Sequence, residues 1–489
     1  GDFVTATIVE YPTAKRVGRV RVAENLGAKL TPAHDVKIAC ARFGIPDHFA
    51  PSMEHEADEG LRRMDEEVRR GRRVDLRDRP FVTIDGEDAK DFDDAIWVER
   101  IDAGFRLHVA IADVAFFVRP GTALDDSARD RGTSVYFPGV CVPMLPERLS
   151  NDLCSLRPRE NKLAMLATME FDRRGNPKGY SFQQALIRTA MRLTYVQVQQ
   201  WIDGDPAVRK ALAELDEPLQ AARDLFQRRL EQREARGVLD FELPETKVQV
   251  DERGRPVAVM PAPRYETHRW VEEFMIAANQ AVAHALRSRR LPTLYRVHEE
   301  PSEEAIEEAN RKLKALGFAH RVETIEPKAF AKVLHALRGK PGGDVAHFTL
   351  LRSQKQANYG PEPLGHFGLA LKDYAHFTSP IRRYPDLVVH RALKRFMDRE
   401  KLADNDREEE LEEMAELGDL TSSRERRATE AERFVVRRKQ CWFFLPKIGE
   451  ILPGRVSGTT PRGLFVTLGD TSADGFLPID GLEGQWSYD

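Results

Sequence analysis

A chain of 489 residues exceeds the size at which a single hydrophobic core stops growing, so two to four domains are expected. Apolar residues make up 41% and charged residues 31% of the chain, which is typical of a soluble globular protein and excludes a fibrous or disordered one. The net charge of −4 excludes a general attraction to nucleic acid, so any RNA or DNA would have to meet a local basic surface.

The beginning of the chain alternates between apolar and polar residues in Phe3–Val9 and Gly18–Val22. This alternation predicts short strands and, over residues 1–54, part of a small β-barrel. Residues 55–80 are rich in arginine interleaved with acidic residues. We predict that they form a charged helical connector with a solvated face.

The segment Phe81–Val98 reads FVTIDGEDAKDFDDAIWV and contains five aspartates and one glutamate between apolar flanks. The flanks predict two buried strands, which would hold the acidic loop in a rigid frame. Carboxylates this close repel each other unless positive charge lies between them. Hard oxygen ligands in such a place suit Mg²⁺ or Mn²⁺.

The acidic segment has two other interpretations, a solvated surface loop and a calcium-binding loop. A solvated acidic surface loop is common, but such runs usually lie in polar sequence rather than between apolar strands. A calcium loop of the EF-hand type would need a D-x-D-x-D-G order, a later glutamate and flanking helices, which this segment lacks. A hard-metal catalytic site is the leading hypothesis.

Strands are predicted to dominate from residue 81 to about 172, as in Leu107–Ile111 and Leu163–Phe171. Helical periodicity follows, and the predicted helices are 205–235, Trp270–Leu286, Ser302–Leu316, Lys328–Leu337, 383–400 and 406–445. After Lys447, short apolar segments separated by glycines predict a second small β-barrel over residues 447–489.

The four cysteines show neither a C-x-x-C pair nor the spacing of metal ligands, so we expect reduced thiols. No run of about 18 apolar residues occurs, and the first residues lack a signal-peptide pattern. We therefore expect a cytoplasmic protein without a membrane segment.

Five stretches in this order resemble the ribonuclease II / ribonuclease R family of 3′→5′ exoribonucleases, with wording closer to the ribonuclease R branch. They are TIDGEDAKDFDDAI (Thr83–Ile96), HVAIADVAFFV (His108–Val118), the segment Arg131–Pro158, VEEFMIAAN (Val271–Asn279) and the segment Gly365–Arg391. The resemblance implies a multi-domain α+β protein. An RNB-type catalytic domain over 81–446 would be flanked by OB-fold barrels, cold-shock-like over 1–54 and of ribosomal protein S-one type over 447–489. Both barrels are expected to be partial, since such a barrel needs about 70 residues.

The same resemblance implies which residues carry the chemistry. Asp85, Asp91, Asp93 and Asp94 would hold Mg²⁺, with Mn²⁺ as a substitute, and Asp93 and Arg382 would be catalytic. From the residues alone Arg382 and Arg383 both remain open, and the resemblance favours Arg382. Asp88 and Glu87 fall outside the matched positions and are expected at the surface or behind the ligands.

Five further residues match family positions along the RNA path. Tyr136 and Phe241 would stack on the 3′-terminal bases, although from the residues alone each is more typical of a core aromatic. Tyr195, Glu273 and Glu432 would lie near the nucleotides, and Glu272 could take the place of Glu273.

The resemblance implies a monomeric, Mg²⁺-dependent and processive exoribonuclease that takes the 3′ end of single-stranded RNA and releases 5′-mononucleotides by a two-metal mechanism. One alternative is a non-catalytic RNA-binding regulator that uses the same channel. Another is a metal-dependent DNA exonuclease or phosphodiesterase, because the aspartates alone do not select the 2′-hydroxyl of RNA.

Overall fold

The computed structural model describes residues 1–241, 246–469, 471, 473–482, 484 and 486. The described strands are β1 (Phe3–Glu10), β2 (Arg19–Gly27), β3 (Val74–Leu76), β4 (Val82–Asp85), β5 (Asp94–Ile101), β6 (Gly104–Ala112), β7 (Val135–Phe137), β8 (Val140–Val142), β9 (Lys162–Asp172), β10 (Pro177–Ile187), β11 (Met191–Thr194), β12 (Thr246–Val250), β13 (Pro256–Pro261), β14 (Tyr295–Val297), β15 (Asn358–Gly360), β16 (Gly454–Thr460), β17 (Gly463–Leu468) and β18 (Asp474–Pro478). The described helices are α1 (Asp35–Phe43), α2 (Pro51–Arg70), α3 (Val114–Phe117), α4 (Ala123–Arg131), α5 (Tyr195–Asp203), α6 (Pro206–Ala211), α7 (Asp216–Arg236), α8 (Glu266–Ser288), α9 (Glu303–Ala315), α10 (Pro327–Leu337), α11 (Gly343–Arg352), α12 (Tyr384–Met397) and α13 (Asp404–Phe444).

A mixed sheet of seven strands, in the order β11-β4-β5-β6-β9-β10-β3, forms the centre of the fold. The edge strands β11 and β3 run parallel to their neighbours, and the inner strands are antiparallel. Side chains of a strand alternate between its two faces. In β6, Leu107 and Val109 enter one hydrophobic cluster, while Ala110 and Ala112 enter another. The sheet is therefore buried on both faces, which explains its nearly continuous apolar strands.

Helices cover both faces and give a three-layer arrangement. On one face α5, α7 and α8 contribute large side chains such as Trp201 and Phe274. On the other face α2, α3 and α4 pack through residues such as Met64 and Leu124. Helix α12 joins both clusters, with Leu393 in the first and Leu387 in the second. The predicted mixed α+β fold is confirmed.

Every helix predicted between residues 205 and 445 is present, with the first divided into α6 and α7. The prediction of a helix over 55–79 is wrong at its end. Helix α2 stops at Gly71, which has a φ of 60°, and Val74–Leu76 joins the sheet as an edge strand. The charged face of α2 is solvated as predicted, with Arg62, Arg69 and Arg70 exposed, and another face buries Ala57 and Met64 in part of the core.

The long helix α13 links the two ends of the chain. Near the N-terminus, α1 packs Ala39 and Cys40 against Ala428 and Val435 of α13. Near the C-terminus, β16, β17 and β18 form a three-stranded antiparallel sheet. The assignment of residues 447–489 to the S-one type stays a prediction, and its last residues lie partly outside the described ones. None of the described helices is both long and apolar enough to span a bilayer.

Candidate active site

The acidic segment forms a strand–loop–strand unit, as predicted. Asp85 ends β4 and Asp94 begins β5, so the aspartates lie on the strand ends and on the connecting loop. The buried Ser155 fixes this loop, because its Oγ accepts a hydrogen bond from Phe92 N at 3.0 Å and donates one to Lys90 O at 2.9 Å. The loop is therefore held through its backbone by residues outside it.

A second support of the loop is Arg192, a residue that the sequence did not single out. Its Nη2 atom donates to the backbone oxygens of Gly86 and Glu87, at 2.7 Å each. Arg192 lies on β11, which pairs in parallel with β4, so its position follows from sheet order rather than from a motif. A lone arginine in an otherwise apolar strand was the only local signal.

The carboxylates of the loop lie in a strongly acidic and poorly solvated place. Burial, followed by repulsion from Asp94 and Asp91, raises the pKa of Asp85 to about 8. Burial also raises the pKa of Asp94 to about 6, although Arg382 opposes this shift. The pKa of Asp93 lies well above its ordinary value because the side chain is almost fully buried, again against the pull of Arg382. Burial therefore disfavours the charged form of these three carboxyl groups more than the nearby arginines favour it.

Asp93 connects the acidic loop to the segment before α12. The backbone N–H of Ile381 donates to Asp93 Oδ1 at 2.8 Å. The neighbouring Arg382 places its Nε 3.7 Å from Asp93 Oδ2, and its side chain is 43% exposed. A guanidinium in this position faces solvent on one side and the acidic loop on the other.

The two candidate arginines differ in their surroundings. The side chain of Arg383 is only 18% exposed, and its Nη2 donates to Asp386 Oδ1 at 2.7 Å. Burial disfavours its charge, but Asp386 and other neighbours outweigh burial and leave the pKa of Arg383 raised. These contacts favour a structural role for Arg383, and the assignment of Arg382 to the phosphate stays a prediction. Asp88 and Glu87 are exposed on the loop, as expected for residues outside the matched set.

Three of the predicted RNA-path residues lie near the acidic loop. Tyr136 and Tyr195 lie beside it, and Glu432 contacts Tyr136. Tyr136 donates from its hydroxyl to Asp91 Oδ2 at 2.9 Å, and its backbone N–H donates to Glu432 Oε1 at 3.0 Å. Tyr195 is the first residue of α5, next to the Thr194 that pairs with Asp85. Burial, then Asp94 and Asp85, raise the pKa of Tyr195.

The other two predicted RNA-path residues lie elsewhere. Glu273 is buried on α8, where its Oε1 accepts from Arg229 at 2.9 Å and its Oε2 lies 3.5 Å from Arg233. Glu272 is 41% exposed and lies 2.8 Å from Arg233 Nη1. Phe241 is half-buried against the helical cluster of α9, α10 and α11. The RNA contacts of these residues stay predictions.

The donor set suits a hard divalent cation, because Asp85, Asp91, Asp93 and Asp94 bring carboxylate oxygens to one short loop and its strand ends. Within the described ranges, no three His, Cys, Asp or Glu side chains stand in a geometry that could hold a metal ion. Asp91 is engaged with Tyr136, and Asp93 with Ile381 and Arg382. The oxygens have the right chemistry, and their assignment as metal ligands stays a prediction.

The family model described as the RNB domain matches residues 73–399, and the cold shock domain model matches residues 1–50. Ribonuclease R of Escherichia coli is 40% identical over 99% of this chain and 61% of its own length. Ribonuclease R of Aquifex aeolicus is 40% identical over all of this chain and 69% of its own length.

Among solved structures, Mycoplasma genitalium RNase R in complex with ribose-methylated single-stranded RNA superposes with a TM-score of 0.89 at 30% identity. The superposition covers 98% of this chain and 75% of that one. The chain thus spans about three fifths to two thirds of the length of the curated relatives given above. The predicted resemblance and the cold-shock-like character of the N-terminal segment are both confirmed.

Proposed function

The chain belongs to the ribonuclease R family of RNB-domain proteins, and on this premise we propose that it is a processive, Mg²⁺-dependent 3′→5′ exoribonuclease. It degrades single-stranded RNA and releases 5′-mononucleotides. The relatives are named ribonuclease R, and one of them was solved with single-stranded RNA in place. We propose the same reaction and substrate for this chain.

One observation carries the proposal: the half-exposed guanidinium of Arg382 lies 3.7 Å from the buried carboxylate of Asp93. Hydrolysis of a phosphodiester places extra negative charge on the phosphate oxygens in the transition state, and fixed cationic donors stabilise that charge. A planar guanidinium can donate to two phosphate oxygens at once. These properties support our assignment of Arg382 to the scissile phosphate beside the acidic loop.

Mg²⁺, held by Asp85, Asp91, Asp93 and Asp94, would supply an activated water and charge relief at the phosphate when bound. The chain itself contributes orientation. The Ile381 N–H fixes one oxygen of Asp93, and Arg192 and Ser155 fix the backbone on which the other aspartates are carried. Such preorganisation avoids rearrangement during the reaction.

The 3′ end of the RNA would be held by aromatic side chains rather than by base-specific hydrogen bonds. Tyr136, Tyr195 and Phe241 are the proposed contacts, with Glu273 and Glu432 along the same path. Stacking accepts any base, as an enzyme that removes successive nucleotides requires. Several such contacts would keep the strand bound between cleavages, which is the basis for proposing processivity. We propose that the enzyme acts as a monomer in the cytoplasm.

Digestion of a 5′-labelled single-stranded RNA tests the proposal. We expect a ladder that shortens from the 3′ end with Mg²⁺, no cleavage with EDTA, and loss of cleavage in Asp93→Asn. The matched control is Asp88→Asn, which removes one charge from the exposed part of the same loop. Cleavage that survives EDTA, or that is equal in both variants, would contradict the mechanism.

The same assay separates the alternatives. Tight binding of RNA by the wild-type protein without release of mononucleotides would indicate a binding protein. Parallel digestion of DNA and of chimeric strands with the same sequence measures the requirement for the 2′-hydroxyl. Equal cleavage of RNA and DNA would contradict the proposed substrate.

A further inference from the structure

Asp93 holds the side chain of Arg382 only loosely. Its Nε lies 3.7 Å from Asp93 Oδ2, which is long for a hydrogen bond, and its side chain is 43% exposed. An arginine side chain has several rotatable bonds, and each flexible side chain that becomes fixed in a complex loses entropy. A residue that fixes the guanidinium before RNA binds would therefore favour the reaction.

Ser379 contacts Arg382 through both its side chain and its backbone. Ser379 Oγ accepts a hydrogen bond from Arg382 Nη2 at 3.0 Å. The backbone oxygen of Ser379 also accepts from the N–H groups of Arg382, at 3.3 Å, and Arg383, at 3.0 Å. The serine is only 5% exposed, so water competes little for these bonds.

Ser379 is in turn fixed by helix α12. Its backbone N–H donates to Asp386 Oδ1 at 2.8 Å, and the same oxygen accepts from Arg383 Nη2. Asp386 is completely buried in the first turn of α12. The turn 379–383 is therefore anchored to a rigid helix at one side and to Asp93 at the other, through the Ile381 N–H.

We propose that Ser379 is a positioning residue, whose hydroxyl holds the Arg382 guanidinium in the orientation that binds the scissile phosphate. The inference rests on the proposed function, because it assigns Arg382 to the phosphate. It goes further by assigning the hydroxyl a role in the chemical step. Removing the hydroxyl would leave the charge of Arg382 in place and lose only its orientation.

The test compares Ser379→Ala and the volume-matched Ser379→Cys with wild type, using single-turnover cleavage of single-stranded RNA with Mg²⁺. A thiol is a weak acceptor, so both variants lose the bond while the backbone contacts remain. We expect the cleavage rate to fall about tenfold with KM within about twofold, since one charge-assisted hydrogen bond of the transition state is impaired. The control Ser353→Ala removes another buried hydroxyl, which donates to Leu350 O at 2.7 Å, and should leave the rate unchanged.

A double-mutant cycle with Arg382→Ala distinguishes positioning from general damage. If Ser379 acts through Arg382, then Ser379→Ala has no further effect on the residual rate of Arg382→Ala. An equal loss in both backgrounds, or a Ser379→Ala rate within twofold of wild type, would overturn the inference. An inactive wild-type protein would instead contradict the proposed function, so the two failures are separate.

Discussion

The hydroxyl of Tyr136 donates a hydrogen bond to Asp91 Oδ2 at 2.9 Å, which joins a predicted base-stacking residue to a predicted metal ligand. The backbone N–H of Tyr136 is held at the same time by Glu432 of α13. Tyr136 as a whole is 41% exposed, although its hydroxyl is fixed. The proposed stacking on the terminal nucleotide and the acidic loop therefore meet in one side chain.

This arrangement predicts different effects for two substitutions of Tyr136. Tyr136→Ala should weaken binding of single-stranded RNA by about 1–3 kcal/mol, or about 5- to 150-fold in Kd, because a stacked base loses its partner. Tyr136→Phe keeps the ring and should leave Kd within about threefold. Fluorescence anisotropy in EDTA measures binding without hydrolysis. Tyr180→Ala is the control, since Tyr180 is 38% exposed on β10. Unchanged binding by Tyr136→Ala would remove Tyr136 from the RNA path.

Much of the frame of the site could be predicted from local sequence. Apolar flanks and runs located β4, β5 and β6, because strands that are buried on both faces of a sheet are nearly continuously apolar. The density of aspartates located the loop, because it too is visible within one short segment of the sequence. The long helices followed from their apolar periodicity.

The contacts that complete the site could not be predicted in this way. Ile381 donates to Asp93 across 288 positions of sequence, and no local pattern encodes that pairing. Arg192 reaches the loop only because β11 pairs with β4. The different surroundings of Glu272 and Glu273 depend on the rotation of α8, which places Glu273 in the interior and Glu272 at the surface.

The difference in burial between Glu273 and Glu272 predicts that their substitutions lower the free energy of unfolding by unequal amounts. In Glu273→Gln, Arg229 loses a buried carboxylate partner, and breaking a buried pair in this way costs about 3–5 kcal/mol of unfolding free energy. Glu272→Gln removes a half-exposed partner of Arg233 and should cost less than about 1 kcal/mol. Urea unfolding followed by tryptophan fluorescence measures both, since Trp270 lies on the same helix. A larger loss in Glu272→Gln would mean that the two glutamates exchange roles.

Asp113 carries a second buried ion cluster, which joins the segment after α2 to α12. Its carboxylate lies 2.7 Å from Arg73 Nη2 and 2.7 Å from Lys394 Nζ. Burial opposes ionisation of Asp113, but Lys394 and Arg73 together outweigh it and hold the pKa of this carboxyl well below its ordinary value. We expect Asp113→Asn to lower the unfolding free energy by about 3–5 kcal/mol at neutral pH.

The lowered pKa of Asp113 also predicts how the stability that it contributes depends on pH. Because the pKa of Asp113 is lower in the folded than in the unfolded protein, its stabilisation is complete above the unfolded pKa of about 4 and is lost as the pH falls further. The stability difference between wild type and Asp113→Asn should therefore shrink in urea titrations below about pH 4. Asp130→Asn is the control, because Asp130 is 60% exposed in its pair with Arg424. A difference that grows as the pH falls would contradict the assignment.

Arg192 provides the most direct test of the idea that the acidic loop is held from outside. Arg192→Ala removes the donor to Gly86 O and Glu87 O, and it removes a positive charge that lowers the pKa of Asp85. Each hydrogen bond to a charged group is worth about 1.5–3 kcal/mol. Even if no more than part of this energy keeps the carboxylates in place, single-turnover cleavage by Arg192→Ala should be slower than wild type by at least about tenfold.

The matched control for Arg192 is Arg188→Ala. Arg188 lies four positions earlier, is exposed and donates through Nε and Nη2 to Asn161 Oδ1, at 3.1 and 2.8 Å. Both variants lose one arginine from the same region, but only Arg192 contacts the acidic loop. Melting temperatures within a few degrees of wild type would show that the fold is kept in both. Equal cleavage by the two variants would then mean that the loop keeps its catalytic geometry without Arg192, and that Ser155 and the strand ends suffice to hold it.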